Sequence, residues 1–169
     1  MSTTTSSQAL DEASIFDAVQ QMYEAVAVTP TKEFHFPTGR SSCLHLGYPE
    51  SELDALPARA VESFAGVGYP FLADGIEPGD TVVDVGSGSG VDALIAALRA
   101  GSEGRVYGVD MTAAMIEKAE ENIREAEVET IQLREGRADD LPLDAASVDV
   151  LTSNGVFNLV PDKERAFRE

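Results

Sequence analysis

Val82-Val83-Asp84-Val85-Gly86-Ser87-Gly88-Ser89-Gly90 is the stretch that decides the fold of this chain. Its first half is rich in valine and predicts a buried strand, and its second half predicts a tight glycine-rich turn. The residues that follow, VDALIAALRA at 91–100, predict a helix. A strand, a glycine loop and a helix in this order open a nucleotide-binding α/β unit. The glycines let a ligand approach the backbone, and the first N–H groups of the helix point to the same place.

The spacing of the glycines bears on which nucleotide binds. A dinucleotide fingerprint, G-x-G-x-x-G counted from Gly86, needs glycine at position 91, where Val91 stands. Asp84 lies two residues before the loop, where a carboxylate can accept from an ammonium group and would repel a pyrophosphate. Both features disfavour a nicotinamide dinucleotide. A tight turn without a ligand remains the alternative at this point.

Downstream of the loop, predicted strands and helices alternate with short connections. Strands are predicted at 105–109, 130–134 and 147–152, a helix at 112–126, and a last helix from Pro161. This alternation predicts a parallel sheet, and right-handed crossovers give the strand order 3-2-1-4. The fold class is therefore α/β, with a Rossmann-like sheet. Its ligand site is expected outside the carboxyl ends of the strands, between the first and the fourth.

The predicted domain organisation places an N-terminal helical segment before this core. Residues 1–10 are expected to be disordered, residues 11–78 to form the helical segment, and residues 79–169 to form the core. Within the helical segment, the hydrophobic spacing predicts a helix at 11–28 and another at 51–64 that is broken near Pro57. The aromatic run at 33–40 is predicted to be irregular.

Asp110 ends the second predicted strand. An acid in this place accepts hydrogen bonds from both ribose hydroxyls. Asp110 therefore supports an adenosine ligand without choosing between cofactor types. Met111, the next residue, is a candidate for packing on the adenine face.

The pattern D-x-G-x-G-x-G at Asp84–Gly90 resembles the first motif of the class I S-adenosylmethionine-dependent methyltransferases. The segment GRADDLP at 136–142 resembles the family's G-D-A-x-D-L-P, with Arg137 in place of an acid. The resemblance implies that the loop holds the methionine end of the cofactor and that Ala138 and Asp139 meet the adenine edge. The cofactor-binding residues it implies are Asp84, Gly86, Ser87, Gly88, Gly90, Asp110, Met111, Ala138, Asp139, Ser153 and Asn154.

A narrower resemblance is to the arsenite methyltransferases. It rests on SNGVFNL at 153–159 and on the segment 55–70, with its L-P-x-x-A-x-x-S-F-x-G-x-G-x-P pattern. Those enzymes bind trivalent arsenic through cysteine thiolates, and the matching positions here are Gly155 and Val67. A single cysteine, Cys43, cannot form such a site, so arsenite is not expected as the substrate. The resemblance also implies a lid over the cofactor to which three residues belong: Tyr23, Phe64 and Gly68.

The function predicted from these resemblances is methyl transfer to a small-molecule acceptor. The sulfonium carbon of S-adenosylmethionine is already electrophilic, so the protein mainly aligns the reactants and excludes water. No residue is identified as a general base, and the catalytic residues are unknown. The alternatives are a cofactor-binding or interaction module without catalysis and, less favoured, an NAD-type oxidoreductase.

Composition excludes several other partners. The net charge is −18, with 30 acidic against 12 basic residues, so no basic surface is available for nucleic acid or an anionic membrane. One cysteine allows no intramolecular disulfide, and His35 and His45 have no ligand partners at metal-binding spacing. The N-terminus lacks the features of a signal peptide, so a cytoplasmic location is expected.

The family resemblance implies more strands than the sequence supplies after the glycine loop. The chain is therefore interpreted as a fragment of a longer enzyme, or as a truncated domain that pairs with a second chain. The fourth strand would then be an exposed edge, which predicts self-association. The segments that often build the acceptor site would be absent, which predicts weak cofactor binding and little turnover.

The acidic composition also predicts adaptation to a high-salt cytoplasm, because salt screens repulsion between surface carboxylates. The free energy of unfolding should rise between about 0.1 M and about 1 M potassium chloride, where the screening length falls severalfold. Chemical denaturation at a series of salt concentrations measures this. A stability that does not rise would identify an acidic protein without salt adaptation.

Overall fold

The computed structural model describes residues 11–169; the predicted disordered tail at 1–10 lies outside the described residues. The elements are α1 (Glu12–Val28), α2 (Gly39–His45), α3 (Glu50–Asp54), α4 (Ala58–Glu62), a 3-10 helix (Pro70–Ala73), β1 (Thr81–Val85), α5 (Val91–Ala100), β2 (Arg105–Asp110), α6 (Ala113–Glu125), β3 (Ile131–Glu135), β4 (Val150–Ser153) and α7 (Lys163–Arg168).

The strands form one parallel sheet in the order β3-β2-β1-β4, which confirms the predicted Rossmann-like topology. In register, Val85 at the end of β1 pairs with Val109 of β2 on one side and with Ser153 of β4 on the other. The chain moves outward from β1 to β3 and then returns to the other side of β1. The crevice between the carboxyl ends of β1 and β4 is therefore the switch point where ligands of such sheets bind.

Both faces of the sheet are covered, as a parallel sheet requires. On one face, Val82 and Val106 pack with the apolar sides of α5 and α6 and with the N-terminal helices. On the other face, Val83 and Val85 pack with Ala166 of α7. Valines that alternate along β1 thus bury themselves in opposite layers, and this explains the continuous apolar character of the strand.

The N-terminal segment differs in detail from its prediction. The helix expected at 11–28 is confirmed as α1, which begins where the Asp11 carboxylate accepts from the backbone N–H of Ser14 at 2.8 Å. The break near Pro57 is also confirmed, since α3 and α4 stand in place of the single helix. The irregular run predicted at 33–40 gives way to helix α2 from Gly39, which the sequence analysis missed. This helix is short and depends on tertiary contacts, with Cys43 fully buried in the core.

The fourth strand begins later than predicted, at Val150 instead of residue 147. Asp149 makes the first contacts with β1: its backbone N–H donates to the Thr81 carbonyl at 2.8 Å, and its carboxylate accepts from the Thr81 N–H at 2.9 Å. The chain before it turns through Ala146, whose φ of +56° is incompatible with a strand. Along the described part of the chain, no helix is long and apolar enough to cross a membrane.

Within the described sheet, β4 pairs only with β1, so its outer edge is unpaired. Leu151 on this strand is 48% exposed. We expect the 169-residue protein to self-associate through this edge, because unpaired strand groups beside an apolar side chain template further pairing.

Sedimentation velocity tests this expectation. The substitution Leu151→Lys should shift the protein toward the monomer. Leu98→Lys, which changes a comparably exposed leucine on α5, is the control and should leave the distribution unchanged. A protein that is monomeric at all concentrations would show that β4 is not an association edge.

Candidate functional site

The glycine loop, residues 86–90, joins β1 to α5 and turns back onto the end of β2. The backbone N–H groups of Gly86 and Ser87 both donate to the Val109 carbonyl, at 2.7 and 3.0 Å. Gly86 has a φ of +77°, and a Cβ on it would lie 2.0 Å from Cγ2 of Val156. Only glycine therefore fits between β1 and the segment that follows β4.

Asp110, the last residue of β2, ties this loop to the start of α6. One carboxylate oxygen accepts from the backbone N–H of Gly88 and the other from that of Thr112, both at 2.9 Å. Burial raises the pKa of Asp110, and the two backbone donors counteract that shift. Each oxygen keeps capacity for a further donor, so this carboxylate can hold the loop and still bind a ligand.

A cleft opens above the glycine loop, with about 920 Å³ of empty space when the part open to solvent is included. Its roof comes from α1, through Phe16, Val19 and Tyr23. The position of α1 is fixed from below by a hydrogen bond from the Gln20 amide to the Met111 carbonyl at 3.2 Å.

Most of the site residues implied by the sequence meet in this cleft. Those that line it are Gly86, Ser87, Gly88, Asp110, Met111, Ala138 and Asn154. The remaining ones, Asp84, Gly90, Asp139 and Ser153, are not part of its lining. Of the lid residues, Tyr23 and Phe64 line the cleft, and Gly68 is attached to it through Asn154.

Asp84 lies in β1 immediately before the glycine loop and is 2% exposed. One of its carboxylate oxygens accepts from the Thr152 hydroxyl at 2.9 Å. The other oxygen is buried and has no hydrogen-bond partner among residues 11–169. Burial, and then the neighbouring Asp92 carboxylate, hold the pKa of Asp84 well above its ordinary value.

Tyr48 and Asp92 are functional candidates that the sequence analysis missed. The Tyr48 hydroxyl donates to one oxygen of Asp92 at 2.6 Å, and the Asn154 amide donates to the other at 3.0 Å. The amide oxygen of Asn154 also accepts from the N–H groups of Val67 and Gly68, at 2.7 and 3.1 Å. Burial raises the pKa of Asp92 to about 6. An acid in the first turn of α5 was the available signal, but nothing in the sequence showed its partners.

Arg137, which stands where the family has an acid, closes the other end of the cleft. Its guanidinium donates to both oxygens of the buried Asp139, at 2.8 and 2.7 Å. This pairing lowers the pKa of Asp139. The same guanidinium lies over the ring of Phe16, with 3.7 Å between its carbon and the ring centroid. Arg137 therefore connects the segment after β3 to the roof helix α1.

The positions matched to cysteines in the arsenite methyltransferases lie side by side. A Cβ on Gly155 would be 3.4 Å from Cγ1 of Val67. Neither position carries sulfur, and Cys43 is fully buried, which raises the pKa of its thiol to about 12. In the described part of the chain, no cluster of His, Cys, Asp or Glu could hold a metal ion.

Residues 76–169 match a family described as a methyltransferase domain. An arsenite methyltransferase of Halobacterium salinarum is 40% identical over 130 residues, which cover 77% of this chain and 33% of that protein. A demethylmenaquinone methyltransferase of Desulfitobacterium hafniense is 33% identical over 94 residues, covering 55% of this chain and 37% of that protein. The chain thus spans about a third of the length of the curated relatives it matches.

A solved structure shows the same relationship. The arsenic(III) S-adenosylmethionine methyltransferase of Chlamydomonas reinhardtii superposes with a TM-score of 0.63 and 37% identity, covering 69% of this chain and 42% of that one. The strand order, the glycine loop and the acid at the end of β2 agree with this likeness. The chain belongs to the class I S-adenosylmethionine-dependent methyltransferase family.

Proposed function

We propose that this chain binds S-adenosylmethionine in the cleft above the glycine loop and takes part in methyl transfer to a small-molecule acceptor. The observation that carries the proposal is the Asp110 carboxylate. It is anchored by Gly88 and Thr112, lies in the cleft wall, and keeps acceptor capacity for ribose hydroxyls. An anchored acceptor of this kind recognises a ribose without having to be ordered when the ligand arrives.

The rest of the cleft fits the other parts of the cofactor. Met111, Ala138 and Phe16 supply apolar surface for the adenine end. Asp92 lines the cleft beside the glycine loop, where its carboxylate would accept from the ammonium group of the methionine end. Phosphate would meet carboxylates in the same place, which favours this cofactor over a dinucleotide.

The cofactor supplies an electrophilic methyl group on its sulfonium, and the chain orients the reactants and limits their contact with water. The roof residues Phe16, Val19 and Tyr23 line one side of the cleft with apolar surface, which would limit the access of water to a bound cofactor. Burial, and then the charge of Asp110, raise the pKa of the Tyr23 phenol. Tyr23 therefore stays protonated at neutral pH, and its ring forms part of the wall of the cleft.

The acceptor is proposed to be an organic small molecule and not arsenite. The curated relatives named above act on arsenite and on demethylmenaquinone, both of which are small. At the positions matched to arsenic-binding cysteines, this chain has the apolar Val67 in contact range of Gly155. A soft metalloid needs thiolate ligands, which neither position supplies, whereas the apolar lining of the cleft at Val156, Leu159 and Val160 suits a carbon framework.

Cofactor binding is tested with Asp110→Ala. Loss of its charge-assisted hydrogen bonds should weaken binding of S-adenosylhomocysteine by about 1–3 kcal/mol. Isothermal titration calorimetry measures this against the unmodified protein, with NAD as the competing ligand. Asp144→Ala removes an exposed carboxylate away from the cleft and should leave the affinity unchanged. If Asp110→Ala binds S-adenosylhomocysteine as tightly as the unmodified protein does, Asp110 does not bind the ribose. If NAD binds more tightly than S-adenosylhomocysteine, the proposed cofactor is wrong.

The acceptor is tested with arsenite under reducing conditions. We expect no tight binding and no methylated arsenic product, because the Cys43 thiol is buried and protonated. The double variant Val67→Cys with Gly155→Cys should gain arsenite affinity relative to either single variant. Sub-micromolar binding by the unmodified protein that disappears in Cys43→Ser would show that the interpretation is wrong.

A further inference from the structure

The glycine loop lies against a group of acids that have no Lys or Arg partner in the part of the chain that the structure describes. Asp84 lies beneath it in β1, Asp92 follows it in α5, and Asp110 lies beside it at the end of β2. Asp84 and Asp92 are 2% and 6% exposed, and Asp110 is partly buried. Asp84 and Asp92 affect each other electrostatically, and Asp110 adds to the negative potential at Asp84.

The groups that surround these acids are themselves neutral or acidic. Cys43 faces Asp92 from α2, Tyr48 faces it from the turn after that helix, and Glu52 faces it from α3. Arg99, the nearby cation, is engaged with Glu52 at 2.9 Å. Among the described residues, no Lys or Arg pairs with Asp84 or Asp92.

Asp84 and Asp92 differ in the number of hydrogen bonds that their carboxylates accept. Asp92 has both oxygens satisfied, by the Tyr48 hydroxyl and the Asn154 amide. Asp84 has one donor, the Thr152 hydroxyl, and its second oxygen is buried without a partner. A buried carboxylate oxygen without a donor is costly when it is charged and acceptable when it carries a proton.

We propose that Asp84 and Asp92, the acid pair, hold one proton in the ligand-free protein, and that the cationic methionine end of the cofactor displaces it into solvent. This inference rests on the proposed function. It means that binding and release of the cofactor are coupled to the release and uptake of a proton. The balance is one proton released for each cationic ligand bound, with no covalent change in either partner. The acid pair thereby selects a ligand that brings its own positive charge.

Charge selection also distinguishes the cofactor from its product. S-adenosylmethionine carries a sulfonium charge that S-adenosylhomocysteine lacks, and an ionised acid pair favours the charged form. The ratio of their affinities should therefore increase with pH as the pair loses its proton. After methyl transfer, the product is held less strongly by the same carboxylates.

Calorimetry in buffers of different ionisation enthalpy counts the protons released. Between about pH 5 and 7, where a free ammonium keeps its proton, S-adenosylhomocysteine should release up to about one proton per molecule bound. 5′-Methylthioadenosine has the same nucleoside but no ammonium group, and it should release none from the acid pair. It is the matched ligand control, because it keeps the ribose that the proposed function places at Asp110.

Substitutions distinguish an effect of the acid pair on proton release from an effect of a damaged fold. Asp84→Asn should abolish the proton release by S-adenosylhomocysteine, and Asp144→Asn should leave it unchanged. Thr152→Val removes the one donor that favours the charged form of Asp84. It should move the midpoint of the pH dependence upward, a change that a loss of packing alone would not produce.

A measurement without ligand tests the resting proton directly. An acid whose pKa is raised by folding contributes less stability as pH rises from its unfolded value, about 4, through its folded value. For Asp92 the folded value is about 6. The free energy of unfolding of Asp84→Asn should therefore fall less than that of the unmodified protein as the pH rises through this interval. Equal pH slopes in the two proteins would overturn the proposal.

The ligand-binding results distinguish a failure of the proposed function from a failure of the proton coupling. If neither S-adenosyl ligand binds, the proposed function is wrong and the coupling fails with it. If all ligands bind and release the same number of protons, cofactor binding stands. The coupling to the acid pair is then wrong, because Asp110 would be the source.

Discussion

The shape of the site depends on the backbone of the glycine loop being held by the end of β2. The Val109 carbonyl accepts from two loop N–H groups, and the Asp110 carboxylate accepts from Gly88. Both acceptors reach the loop because Val85 pairs with Val109 in the parallel register of β1 and β2. A register shift of one residue would turn the side chain of Asp110 to the other face of the sheet. The sheet therefore determines the loop, and the loop determines where a ligand can lie.

Asn154 extends this arrangement to the N-terminal half of the chain. From the end of β4, its amide reaches Gly68, Tyr48 and Asp92. A Cβ on Gly66 would lie 2.4 Å from the amide nitrogen of Asn154, so the segment passes close to this side chain. One amide thus joins β4, α5 and the segment before the sheet. The wall of the cleft is consequently built by parts of the chain that are distant in sequence.

The sequence could predict the features that depend on local patterns. The alternation of strands and helices predicted the sheet order. The valine run of β1, the glycines after it and the acid that ends β2 each carry a short-range signal, and together they located most of the cleft. Other features depend on contacts across long separations. Tyr48 reaches Asp92 over 44 residues, and helix α2 forms because Cys43 is buried by the core. The role of Asp139 was obscured for a different reason, since Arg137 binds its carboxylate and the family pattern has no arginine there.

The acids of this chain fall into two physical classes that the net charge of −18 does not separate. Surface carboxylates repel one another through water, and salt at molar concentration reduces their interaction range to about 3 Å. Asp84 and Asp92 are only 2% and 6% exposed, so mobile ions in the surrounding water screen them little. Their repulsion can be relieved by a proton, or by a cation held in the part of the cleft that Asp92 lines. The general acidity is therefore a property of the surface, whereas the acid pair belongs to the chemistry of the site.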